Sequence, residues 1–431
     1  PSGQLVGTVE AVRATPRWAN LLTAELSVQS LTLFRPTLSL RRDTAGTWNV
    51  SEALQRTSPS VPSTRSLDLS FADIEVQKGR IQTSRIGVAP KVVRQGWLFD
   101  YTQAEVTGLS FNAVARQSGP DGFLDVDNAT FALPSENLRA SFFEGQVRRT
   151  PNGLSISELD LSLDTTRVRG QASLQAAERT GEAPRVSLDL ERSRVDLDEV
   201  RRIMPRLPLT DVITVRGGLE GTPQELIANN VTVTHDASFA TLDGMLRPTS
   251  ESVQFDLSLR ESRLYPADVQ TVWPAAPLAP SIDDGPFRMT ASVEGSTASP
   301  ESGARPFDVA SRLAVESPYG GVQGSIDVAR SRTSLLSYRT SLTADSLNVG
   351  PFGGASVPDT RLTGRIEGEG TGSALGALQG SAELSLSASE VAGRPFASAD
   401  GTVTVNGDST EGTLTLRQSD GGRLFVKGSA R

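Results

Sequence analysis

The sequence predicts an all-β protein built as an elongated, repeating β-sheet with two or three short helices. Three observations predict it. First, apolar and polar residues alternate along most of the chain, the period of a strand with one dry and one wet face. Second, one strand pattern returns at a fixed interval, which marks a structural unit stacked on itself. Third, turn residues punctuate the alternation: Gly119-Pro120-Asp121-Gly122, Pro151-Asn152-Gly153, Asn406-Gly407-Asp408 and Asp420-Gly421-Gly422.

The recurring strand reads Ile213 to Gly221, Phe287 to Gly295, and Thr360 to Gly368, with final glycines 74 and 73 residues apart. A weaker copy, Ser141 to Gly145, precedes them. In each complete copy a small residue (Gly217, Ala291, Gly364) stands four places before the final Gly. An apolar one (Leu219, Val293, Ile366) stands two before it. Strands at roughly 10–12-residue spacing, on the order of 35 in all, read as antiparallel hairpins or meanders.

Two helices are expected, over 196–204 and 266–273. Val200, Ile203 and Met204 share offsets i, i+3, i+4 with Val269, Val272 and Trp273, one face of a short helix. Acidic residues open each helix, and Pro205 and Pro274 stop them. The third copy, Asp345 to Pro351, reads as a loop. The resulting array runs 1–66, 67–144, 145–220, 221–294, 295–367 and 368–431, the first part ending in a Ser/Pro-rich loop at 55–66. Segments 274–286 and 296–306 are also Pro-, Ser- and Ala-rich and read as loops.

Alternation nominates one apolar surface. Its members are Val186, Leu188, Leu190, Val215, Leu219, Val253, Phe255, Leu257, Leu259, Met289, Val293, Leu362, Ile366, Leu384, Leu386, Val403 and Val405. A one-sided apolar sheet must hide that face, and the chain supplies few helices to do so. Either the sheet folds on itself as a sandwich or closed solenoid, or it forms a trough covered by something else. Alternation does not separate these cases.

Composition excludes several functions. The 431 residues carry a formal charge of −8, with no basic stripe to neutralise phosphates, so nucleic acid is not an expected partner. There is no Cys, hence no thiolate chemistry. The lone His235 sits beside Asp236 with no nucleophile motif, and reads as an ordinary strand residue. Gly368-Glu369-Gly370-Thr371-Gly372 mimics a dinucleotide fingerprint, but the next segment, Ser373 to Gly380, is too short for a crossover helix. Asp121, Asp125 and Asp127 lack the spacing of an EF-hand loop. Arg192, Arg194, Arg201, Arg202 and Arg206 read as a solvated face, with a lipid-headgroup contact as the alternative. No metal, cofactor or catalytic residue is nominated. The four Trp and four Tyr are scattered, unlike the aromatic platforms of a carbohydrate enzyme or a sugar-binding solenoid.

Residues 21–33 and 36–50 form two alternating strands, and Asp43 and Gly46 fit a type I turn before Trp48-Asn49. The order Pro36, alternating strand, Arg42-Asp43, Gly46, Trp48-Asn49 resembles the opening region of the AsmA-like and TamB-like proteins, bacterial members of the bridge-like lipid-transfer group. Leu67 to Ile81 is similar to that family's next element, and 154–174 to its β repeats. The specific motif covers about 36–81. The resemblance implies a sheet curled into a U-shaped, greasy groove that conducts phospholipids across the periplasm of a diderm bacterium. It implies an inner-membrane anchor upstream and an outer-membrane protein partner. The start at Pro1 and the strand that ends at Arg431 suggest a piece of a longer protein. The competing reading is a non-enzymatic envelope scaffold that assists outer-membrane protein assembly or envelope integrity.

Overall fold

A computed structural model describes residues 6–17, 25–42, 49, 68–85, 104–176, 183–203, 207–222, 224–249, 252–275, 285–298, 306–330, 336–353, 357–372 and 379–430. Among the described residues the fold is all-β: 24 strands of an open, mixed β-sheet and three short α-helices. It divides into two compact units, Pro1–Gly218 and Leu219–Arg431. The expected strand count is too high. Most strands run 9–13 residues, and many of their connections are four residues or longer or carry a helix, so each strand uses more chain than the alternation spacing implies.

Unit 1 opens with β1 (Gly7–Thr8), β2 (Ala11–Pro16), β3 (Glu25–Phe34), β4 (Thr37–Arg42) and β5 (Asp68–Arg85). β3 and β4 both pair parallel with β5, whose 18 residues are long enough to take them end to end. The kink between them is Arg35, at φ 46°, followed by Pro36. Arg35 N donates to Gln77 O and Arg80 N to Pro36 O, both at 2.8 Å, so β5 holds the backbone through the kink. The Asp43–Gly46 turn and the 55–66 loop lie outside the described residues.

An antiparallel meander follows: β6 (Glu105–Ser118), β7 (Asp121–Leu133), β8 (Leu138–Thr150), β9 (Gly153–Ser162), β10 (Arg167–Gln175) and β11 (Arg185–Asp196). Helix α1 (Leu197–Ile203) leads into β12 (Val212–Thr222). The core of unit 1 is small: Ala113, Val126 and Ala129, packed by Ile74, Phe111, Leu124 and Phe143.

Unit 2 is a second antiparallel meander. It comprises β13 (Glu225–His235), β14 (Ser238–Pro248), β15 (Ser252–Arg263), helix α2 (Pro266–Val272), β16 (Arg288–Ala298), β17 (Phe307–Ser317), β18 (Gly320–Arg330) and β19 (Leu336–Leu347). Helix α3 (Gly350–Gly353), β20 (Thr360–Thr371), β21 (Gln379–Val391), β22 (Arg394–Asn406), β23 (Ser409–Arg417) and β24 (Arg423–Ala430) complete it.

The recurring pattern falls on β8, β12, β16 and β20, every fourth strand, and helices follow β11, β15 and β19. The first two helices lie within a residue or two of their expected ends. The third copy, expected as a loop, closes a helical turn at Gly350–Gly353. Asn348 Oδ1 accepts the Gly350 and Thr360 N–H groups, both at 3.0 Å, and Pro351 pre-sets a helical φ. Strand β16 also reaches Ala298, into a segment expected as loop.

Candidate apolar site

Residues directly opposite each other in an antiparallel ladder project to the same face. In unit 2 this rule links long rows. Leu257 faces Val293, and the row runs on through Ser311, Ile326, Thr340, Gly368, Ala382, Val403, Gly412 and Gly428. Phe255 begins a parallel row through Gly295, Val309, Val328, Tyr338, Gly370, Gly380 and Val405. Leu259 begins a third through Ala291, Leu313, Gly324, Leu342, Ile366, Leu384, Gly401, Leu414 and Val426. Met289 begins a fourth through Val315, Val322, Ala344, Gly364, Leu386, Ala399, Leu416 and Leu424. None of these four rows contains Asp, Glu, Lys or Arg. The intervening row on the other face runs Asp256, Glu294, Ala310, Asp327, Arg339, Glu369.

All the nominated residues of β15, β16 and β20–β22 therefore share one face: Val253, Phe255, Leu257, Leu259, Met289, Val293, Leu362, Ile366, Leu384, Leu386, Val403 and Val405. Val186, Leu188 and Leu190 share a face of unit 1, opposite Leu174, Ala172 and Gly170. Val215 and Leu219 lie on β12 itself, the first half-buried and the second exposed.

The face of unit 2 is apolar yet open. Leu226, Leu242, Leu246, Leu257, Ile366 and Val403 on it are all exposed, Val403 at 43%. It is driest where β19–β23 approach the helix-bearing end, where Ala344 is also buried. There Leu386, Phe396 and Ala399 are buried and packed by Leu362, Leu384, Leu414 and Leu416. Sequence reading missed Phe396. It also missed the apolar face of unit 1 between β5 and β8, although Ile74/Val76, Phe111/Ala113/Ala115 and Leu124/Val126 carry the same alternation.

The other tempting groups are positioned by local structure. His235 ends β13, and its ring lies within 4.8 Å of the carboxylates of Asp236 and Asp268, a grouping that could hold a cation. Ser238 explains part of it. Its hydroxyl donates to Asp268 Oδ2 at 2.7 Å and accepts Tyr265 N–H at 2.8 Å, tying α2 to the β13–β14 hairpin. Asp125 and Asp127 lie along extended β7, roughly 7 Å apart, rather than converging. The Gly-rich segment ends antiparallel β20, which is not the parallel βαβ setting of a dinucleotide site; 373–378 lie outside the described residues. Arg201 pairs with Asp198 at 2.5 Å, and Arg202 with Asp164 at 3.6 Å and Asn137 O at 2.8 Å, so these cations serve the α1 end locally. Arg206 is outside the described residues.

At α1 two carboxylates are held ionised. Glu199 is 3% exposed, and burial pushes its carboxyl upward. Hydrogen bonds from Thr166 and Thr165 outweigh that, and the net shift is below the ordinary range. Asp196 follows the same logic: burial raises it, while Thr165, the Asp198 and Glu199 backbone N–H groups and Arg202 lower it further. Both groups bind their own fold and leave no free acid or base.

A depression of about 840 Å³ spans β18–β22 and mixes Asp327, Arg339 and Glu369 with Tyr338 and Val405. A hollow of about 440 Å³ on the polar face places Glu367 directly opposite Glu383. No helix among the described residues is long and apolar enough to cross a membrane. Comparison with protein-family models, with curated proteins and with solved structures gave no match to this chain.

Proposed function

We propose that this chain is part of a bridge-like lipid-transfer protein of the bacterial envelope, whose apolar face carries phospholipid acyl chains between inner and outer membrane. One observation carries the reading. Four rows across the strands of unit 2 hold no charged side chain, yet several of their large apolar residues are open to solvent. Exposed contiguous apolar surface of this size marks a binding face. Each methylene that leaves water for it contributes about 0.8 kcal/mol, and neighbouring positions are chemically alike. An acyl chain would bind at many points and slide between them. The resemblance at 36–81 supports the envelope setting.

The test is mass spectrometry of lipids retained by the chain purified without detergent. Phospholipid at one or more molecules per chain is expected; a lipid-free, folded protein that also takes up none from liposomes overturns the reading.

A further inference from the structure

Unit 1 repeats the apolar face with one difference. Leu188 stands opposite Ala172, and its row continues through Ile156, Val147, Leu124, Ala115 and Phe71. The adjacent row, at the hairpin end of the strands, runs Val186, Leu174, Leu154, Arg149 and Gly122. Arg149 is the one charged residue in either row. It is exposed, and its side chain makes no hydrogen bond or ion pair with the described residues.

Its surroundings are apolar along the row toward β11 and mixed toward β6. Leu154, Leu174 and Val186, one, two and three strands away, are 40%, 44% and 42% exposed. At ~4.8 Å per strand they form an open apolar strip roughly 14 Å long that starts at the guanidinium. On the other side Gly122 puts no side chain opposite Arg149. A hollow of about 230 Å³ opens there, lined by Phe71, Ala115, Phe123, Leu124 and Val147 and, at its polar rim, by Gln117 and Arg116. A cation at the end of an open apolar strip matches an amphiphile with an anionic head.

We infer that Arg149 receives the anionic head of a lipid whose hydrocarbon lies over Leu154, Leu174 and Val186. The inference rests on the lipid-transfer reading and narrows its substrate. A guanidinium binds a phosphodiester or a carboxylate through paired N–H donors, and a choline head offers it a phosphate already neutralised by its own cation. The head charge is thus what the site selects. The formal charge of −8 repels anionic lipid in general, so a preference for it must come from a local contact.

The experiment uses the full chain with phosphatidylcholine liposomes doped with one photoreactive probe: phosphatidylglycerol, phosphatidylcholine or a fatty acid. Crosslinks are mapped to β8–β11. Anionic probes should label these strands about tenfold more than the choline probe, the effect of one charge-assisted contact. Arg149→Leu should remove that ratio and leave choline-probe labelling intact. Arg149→Lys should keep part of it. Arg148→Leu, on the opposite face of the same strand, should change nothing. Preference for phosphatidylglycerol alone, or for the fatty acid alone, supports the inference and names the head. A ratio near one in the unmodified chain, or one that survives Arg149→Leu, overturns the role of Arg149 and leaves the lipid-transfer reading standing. No labelling by any probe overturns both.

Discussion

The hydroxyl of Ser193 stands between both backbone polar groups of Arg169. It accepts the Arg169 N–H at 2.9 Å and donates to the Arg169 carbonyl at 3.1 Å. The contact sits where the β10–β11 register shifts between Arg167 and Gly170. A bulge leaves one residue without its ladder partners, and the serine supplies both. The device recurs. Ser262 bonds N–H and carbonyl of Met289 at 3.0 and 2.8 Å, and Ser389 those of Thr363 at 3.0 and 3.4 Å.

Ser193→Ala should therefore be costly for so small a change. Ser193 is fully buried, and its loss strands a donor and an acceptor from water. The expected cost is about 1–3 kcal/mol, read as a lower urea midpoint with unchanged slope. Ser187→Ala, an outward residue of the same strand, should shift the midpoint by less than about 0.5 kcal/mol. Equal shifts would remove the bridging role.

Glycine at two kinds of position should behave differently. Gly364 has φ +157°, and a Cβ there would lie 2.2 Å from Ser385 O. Gly364→Ala should destabilise by about 1–3 kcal/mol, because backbone, not a movable side chain, blocks the atom. A Cβ on Gly428 meets nothing within 4 Å. Gly428→Ala should be neutral or stabilise slightly, by up to about 1 kcal/mol, through the unfolded chain. Thermal melts of the two variants check the contrast.

Acid should loosen the α1 end of unit 1 first. Glu199 and Asp196 have carboxyl groups held below their ordinary values of 4.5 and 3.8. A lowered folded-state value means stability that is present above the unfolded value and lost as pH falls through the folded one. Melting temperature should therefore hold from neutral pH to about 5 and then fall below about 4.5. Glu199→Gln should flatten that fall and lower stability at pH 7, since an amide cannot accept both the Thr165 and Thr166 N–H groups. An unchanged acid limb would show that Glu199 is not a source of it.

What was legible in the sequence was whatever alternation encodes directly. Leu257, Val293 and Val403 could be assigned to one face from their polar neighbours, and the Glu-Gly strands placed at their 73–74-residue interval, though not counted as four strands apart. The parallel pairing of β3 and β4 with β5 was not legible, because it depends on a connection, 43–67, that carries no periodicity. Nor were the bulge serines: Ser193 and Ser187 look alike in sequence, and only the register shift makes one of them structural. The depth of each apolar position was hidden for the same reason. Leu386 and Leu257 follow the same alternating pattern, yet Phe396 packs against the first, whereas the second stays 37% exposed.

That difference separates two variants that sequence alone treats as equivalent. Leu386 is 8% exposed and packed with Phe396 and Ala399, whereas Leu257 is 37% exposed on the same face. A carboxylate at Leu386 would be buried without a partner, so Leu386→Asp should fail to fold or lose several kcal/mol. Leu257→Asp leaves its charge in reach of water. It should fold with a loss of about 1 kcal/mol or less. Its effect should fall on the ligand, because an acyl chain crossing that point must lie against a carboxylate and strip its water. Photoreactive phospholipid should label β15 and β16 less in Leu257→Asp than in Leu257→Ala, while the two variants melt within a few degrees of each other. If instead Leu257→Asp unfolds as Leu386→Asp does, another part of the protein covers this face and lipid does not. If it folds and labels like Leu257→Ala, acyl chains do not pass over Leu257.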